Sequence, residues 1–177
     1  MITISTSCVR HSIASALLLT TLSGLLAGCA FGAPDTSTTR RTEPTVDADS
    51  AKQHMIEAVD DATARLGGVW KPRTGPDYAE DCVLPDGEQG ARWRYLTGSE
   101  LAGDPTADGA RMADHWRAQG MEVVVRDSED GPAVFGSGGD DIAGISVYAY
   151  SGNYTVQALS RCFPGDADGI MEQLSDE

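Results

Sequence analysis

Apolar positions change spacing along this chain, and each change marks an element. The densest run, Ile13–Leu26, is rich in Ala and Leu, and no charged side chain occurs from Ser12 to Pro34. From Ala30 to Asp49 large apolar residues nearly vanish and Thr, Ser, Pro, Asp and Glu take over, the composition of a flexible tether. Ser50-x-x-Gln53 has capping-box form. Met55, Ile56, Val59, Ala62 and Leu66 then recur at helical spacing, predicting a first helix that Gly67 stops. Asp104-Pro105 sets a cap before a first-turn proline, and Met112, Ala113 and Trp116 line one side, predicting a second helix to Gln119.

Between and after the helices the period falls to two. Val69-Trp70 reads as a short strand ended by Lys71-Pro72, and the Pro-, Gly- and acid-rich stretch after it as a long loop holding Cys82. Ala91–Thr97 alternates, with Trp93, Tyr95 and Thr97 on one face and Arg92 and Arg94 on the other. Met121–Arg126 predicts a strand, Asp127–Pro132 a turn into Ala133-Val134-Phe135, and Gly136–Asp141 a loop. Ile142–Ser151 and Tyr154–Cys162 flank Gly152-Asn153, a two-residue turn suited to a tight hairpin. If Ser151 and Tyr154 close it, Ile145, Val147, Ala149, Val156, Ala158 and Cys162 face the core, and Tyr148, Tyr150, Thr155 and Gln157 face away. The expected fold is α+β: an antiparallel sheet of about four to six strands, two helices on one face and one disulfide. The domain is expected over residues 50–165, and residues 166–177 as an acidic tail in which Ile170, Met171 and Leu174 form a frayed turn.

Charge narrows the partners. The 13 Lys+Arg stand against 27 Asp+Glu; only Arg10 of these precedes residue 29, so the remainder carries 12 − 27 = −15. Nucleic acid is a poor partner for such a chain by charge alone.

The apolar run ends in Leu26-Ala27-Gly28-Cys29, which resembles the bacterial lipobox. Residues 1–28 then read as a lipoprotein signal peptide and 29–49 as a lipidated cysteine and tether. The resemblance implies that Cys29 carries diacylglycerol, that its freed amine takes a further acyl chain of the palmitate class, and that the protein sits on the extracytoplasmic face of the cell membrane. Two or three chains hold firmly, since each buried CH₂ adds about 0.8 kcal/mol. With Cys8 removed in the leader and Cys29 acylated, Cys82 and Cys162 remain in an oxidising compartment and are expected to pair.

Motifs for chemistry are sparse. His54 and His115 are the imidazoles beyond the leader, and no G-x-S-x-G, H-E-x-x-H or metal-spaced cluster accompanies them. No catalytic residue, metal or cofactor is assigned. The Gly136–Asp141 loop lacks a lysine and a following helix, as a phosphate cradle requires, and Asp166-x-Asp168-Gly169 lacks the ligand spacing of a calcium loop. Arg92, Arg94 and Arg73 are expected to pair with carboxylates on a solvated face rather than to form an anion site. Tyr148, Tyr150 and Gln157 are the candidate binding face for a sugar or peptide, although cross-strand packing accounts for the same residues.

The order of elements, with Trp116-x-x-x-Gly120 and Cys162-Phe-Pro-Gly, resembles small actinobacterial surface lipoproteins of the LppA-like kind. That resemblance implies an extracytoplasmic α+β lipoprotein and carries over no catalytic residue. The expected role is a membrane-anchored binding or interaction module with an envelope protein or glycan as partner. The alternatives are an envelope hydrolase or an accessory subunit of an envelope complex.

Overall fold

Asp47, three residues before the expected domain start at Ser50, opens the first helix. In the computed structural model, which describes residues 45–101 and 103–176, the Asp47 carboxylate accepts the Ser50 backbone N–H at 2.9 Å and the Ser50 hydroxyl at 2.8 Å. Ser50 thus serves a cap instead of being one, and helix α1 runs Ala48–Leu66. Its stripe Ala51, Met55, Val59, Ala62 and Leu66 is buried, and it ends at Gly67 with φ +72°. Helix α2, Pro105–Ala118, follows the expected cap: Asp104 accepts from Ala107 N–H, and Met112, Ala113 and Trp116 are buried.

Six strands follow in one sheet: β1 Lys71–Val83, β2 Gln89–Ser99, β3 Glu122–Ser128, β4 Gly131–Ser137, β5 Ile142–Tyr148 and β6 Tyr154–Ser160. They are antiparallel throughout, in the order β1-β2-β6-β5-β4-β3. The fold is α+β, with one disulfide, Cys82–Cys162.

The long loop expected after Lys71-Pro72 is instead β1, and Cys82 lies in a strand. The breakers are accommodated because β1 is an edge strand. Its ladder skips residues between Pro72 and Thr74 and between Thr74 and Tyr78, around Gly75-Pro76, then runs regularly from Tyr78 to Val83. Val69-Trp70, expected as a strand, lies outside β1; the Trp70 indole donates to Gly67 C=O at 2.8 Å.

The last hairpin keeps its faces but not its turn. Tyr148 pairs with Thr155, so pairing stops short of the expected Ser151–Tyr154 closure and Ala149–Asn153 form the connection. Ala149 N–H turns to Pro132 C=O at 3.0 Å, and Gly152 N–H to Leu101 C=O at 2.8 Å. The shift is even, so the inward set survives: Ile145, Val147, Ala149, Val156 and Ala158 are all buried. Cys162 departs from that set, since β6 ends at Ser160 and Cys162 lies beyond it, half-buried.

The core lies between α1, α2 and this inward face. α1 packs on β6, β2 and β5, and α2 on β4 and β3. A third helix, α3 Ala167–Ser175, replaces the expected acidic tail. Asp166 caps it by accepting Gly169 N–H, which gives the Asp166-x-Asp168-Gly169 run its structural role. Met171 Sδ accepts the Ala79 backbone N–H, so α3 seals part of the β1 edge. The disulfide ties the same edge strand to the segment after β6, with Cα atoms 6.0 Å apart across a sequence separation of 80. A loop of that length corresponds to about 4–5 kcal/mol at most.

Candidate functional site

The buried stripes of α1 and α2 and Ala167, Ile170 and Met171 of α3 all pack into one core cluster on one side of the sheet; the other side is the open face. Its residues are set by register. Phe135 pairs across to Ser146, Ser146 to Gln157 and Gln157 to Leu96; beside that row, Ala133 pairs to Tyr148, Tyr148 to Thr155 and Thr155 to Gly98.

Three aromatic rings form a continuous edge-to-face array on this face. Phe135 and Tyr148 have centroids 5.7 Å apart at 85°, and Tyr148 and Tyr150 5.8 Å apart at 75°. The Arg126 guanidinium lies over Phe135, 5.2 Å from its centroid. Tyr148, Tyr150 and Gln157 are half-buried rather than fully exposed, because the rings cover one another and the small residues Ala133 and Ser146 beneath them.

Beside the rings lies a basic patch. Arg94 donates to Gln157 Oε1 at 2.9 Å, and Arg92 and Arg94 share Glu80 at 2.7 and 3.7 Å, the carboxylate pairing the sequence led us to expect. Arg94 Nε is buried without a hydrogen-bond partner. Arg73 lies across β2 over Gly98, where any Cβ would collide with its guanidinium, and donates to Asn153 Oδ1 at 2.9 Å. Arg92 and Arg94 therefore share one carboxylate, and Arg73 has no ion-pair partner among the described residues, in a chain of net charge −14. Lys71, Arg73, Gly98, Ser99 and Glu100 line a 570 Å³ cleft that continues the patch at the end of the sheet.

A second cavity, of 400 Å³, opens between α1, α2 and the 138–141 loop. Trp116, Ile142 and Ile145 form its apolar lining; Glu57, Asp61, Asp140, Asp141 and His54 supply the polar groups. His115 Nε2 meets Asp61 Oδ2 at 2.5 Å, and Arg65 Nε reaches the same carboxylate at 3.1 Å. Partial burial works to raise the Asp61 carboxyl, but the hydrogen bonds from Arg65 and His115 outweigh it and hold the group below 3.8. His54 Nδ1 lies 4.0 Å from Asp141. His115 is thus engaged with a carboxylate, whereas His54 Nδ1 is buried without a hydrogen-bond partner among the described residues, and no serine, threonine or cysteine lines this cavity. The described residues contain no group of His, Cys, Asp and Glu arranged to hold a metal ion.

The structure brings Tyr148, Tyr150 and Gln157 together on one face and joins Cys82 to Cys162; Cys29 and the leader lie outside the described residues. Phe135 and Arg73 belong to the open face; the sequence does not single out Phe135, and Arg73, expected to pair with a carboxylate, donates to Asn153 instead. Phe135 had a signal in the alternation of its strand, whereas reading β1 as a loop hid the placement of Arg73. No protein-family model and no curated protein matches the chain. Among solved structures, it is similar to a DUF4853 family protein from Actinomyces odontolyticus, at 17% identity and a TM-score of 0.47 over 70% of this chain and 71% of that one.

Proposed function

We infer that this chain is a membrane-anchored extracytoplasmic lipoprotein whose folded domain is a binding module, and that its working surface is the open sheet face. The observation that carries this reading is the juxtaposition of the Phe135–Tyr148–Tyr150 array with a local excess of arginine. The lipobox-like Leu26–Cys29 supports the anchor, and the Cys82–Cys162 bridge suits an oxidising compartment. The partner that fits is an anionic envelope glycan. Tyrosine rings and the Gln157 amide suit sugar rings and hydroxyls, and Arg73, Arg92 and Arg94 complement carboxylate or phosphate groups against the charge of the whole protein.

The test is retention of the full chain on isolated cell-wall polysaccharide, comparing wild type with Tyr148→Ser/Tyr150→Ser. Loss of retention with the melting transition preserved supports the reading. Equal retention of the double variant rejects the aromatic face as the binding surface, and crosslinking of a specific envelope protein in place of polysaccharide reassigns the partner.

A further inference from the structure

The two edges of the sheet are treated differently. β1 carries Pro72 and Pro76, two breaks in register and the Met171 contact to the Ala79 N–H, all of which obstruct pairing with another strand. β3 has none of these. It pairs with β4 without a break from Glu122↔Ser137 to Ser128↔Gly131, and its sequence, Glu-Val-Val-Val-Arg-Asp-Ser, contains no Pro or Lys. Among the described residues its substantial neighbours are β4 and α2, and none of the other described elements covers its outer edge to a comparable extent. Val124 is 47% exposed and Val125 41% exposed.

We propose that β3 is a homodimer edge, pairing antiparallel with β3 of a second copy of this chain about a two-fold axis through Val124. In that register Glu122 stands opposite Arg126 of the second copy, and Arg126 opposite Glu122 of the second copy. Val123 meets Val125 of the second copy on the helix side, and Val124 meets its own counterpart on the open side. Neither Glu122 nor Arg126 has an ion-pair partner among the described residues, and both are exposed. The register is selective: sliding by one residue toward the C-terminal side sets Glu122 against Asp127 of the second copy, twice, and moves one copy's apolar positions to the wrong face. A two-fold contact of this kind is self-complementary and closes, so the assembly stops at two copies. The two six-stranded sheets become one of twelve strands, with the open faces side by side. This inference does not depend on what the open face binds.

Two differently tagged forms of the full chain, co-expressed and solubilised in detergent, test it by capture of one tag through the other. Wild type should capture wild type. Glu122→Arg alone and Arg126→Glu alone each convert both opposite-charge pairs to like-charge pairs and should weaken capture at least about tenfold. Glu122→Arg mixed with Arg126→Glu restores opposite charge at both positions and should recover capture, which misfolded variants would not do. Failure of wild type to capture itself, undiminished capture by either single variant, or no recovery in the mixed pair would each overturn the proposal.

Discussion

Cys162 Sγ lies 2.8 Å from the point where a Cβ on Gly90 would stand, and Phe163 C=O lies 2.7 Å from the same point. Gly90 is the β2 partner of Cys82, so the disulfide passes over a strand position that only glycine leaves open.

Gly90→Ala should therefore cost about 1–3 kcal/mol, the usual range for forcing a methyl into a filled site. The cost should shrink, without vanishing, when Cys162 is also replaced by Ala, since the Phe163 carbonyl remains. Urea unfolding of the two single variants and the double variant measures the coupling; an additive result contradicts the packing described.

Tyr154 is fully buried and donates its hydroxyl to Asp108 Oδ2 at 2.8 Å, while Arg111 meets the other carboxylate oxygen. Tyr154→Phe leaves that buried oxygen unsatisfied and should destabilise by about 1–3 kcal/mol. Burial, and then the contact with Asp108, push the phenol far above its ordinary value of 10.0. A raised folded value means stability that is complete below 10.0 and is lost as pH climbs above it. Ultraviolet titration should show one of the five tyrosines ionising only as the protein unfolds, and its early ionisation would refute this.

Asp61 behaves in the opposite sense. Its carboxyl is held below 3.8 in the fold, so the stability it contributes is present above 3.8 and fades as pH falls through the lower folded value. Asp61→Asn should be less stable than wild type at neutral pH, with the gap narrowing under acid. Denaturation midpoints across that range check it; a gap that widens on acidification is incompatible with this role.

Cys29→Ala should leave the chain unprocessed or release it from the membrane, because Cys29 alone follows the Leu26-Ala27-Gly28 signal. Fractionation with detection of the precursor measures the result. Normal processing with full membrane retention would remove the basis for the lipoprotein reading.

Elements specified by local chemistry were legible in the sequence: α2 by Asp104-Pro105, the stop of α1 by Gly67, and the β2 faces by strict alternation around Trp93. What was obscured depended on distant partners. β1 looks like a loop because Pro72, Gly75 and Pro76 break its local pattern, yet β2 supplies a template that tolerates breaks at an edge. α3 is short and acidic, and its helical state rests on contacts such as Met171 to Ala79, 92 residues apart. The open face was half legible: Tyr148, Tyr150 and Gln157 followed from alternation, whereas Phe135 and Arg73 join them only through pairings made by β4 and β1. The pairing of Cys82 with Cys162 was reached by counting thiols, and its position over Gly90 required the sheet.

The bridge also fixes how the domain carries load. Strands β2–β6 and α2 all lie between Cys82 and Cys162 in the chain, whereas α1 and α3 lie outside. Tension applied to the two ends crosses from residue 82 to residue 162 through the sulfur atoms and bypasses everything between them. Pulling peels away α1, most of β1 with Arg73, and α3, and the covalent ring that carries Phe135, Tyr148, Tyr150 and Gln157 is left unstretched.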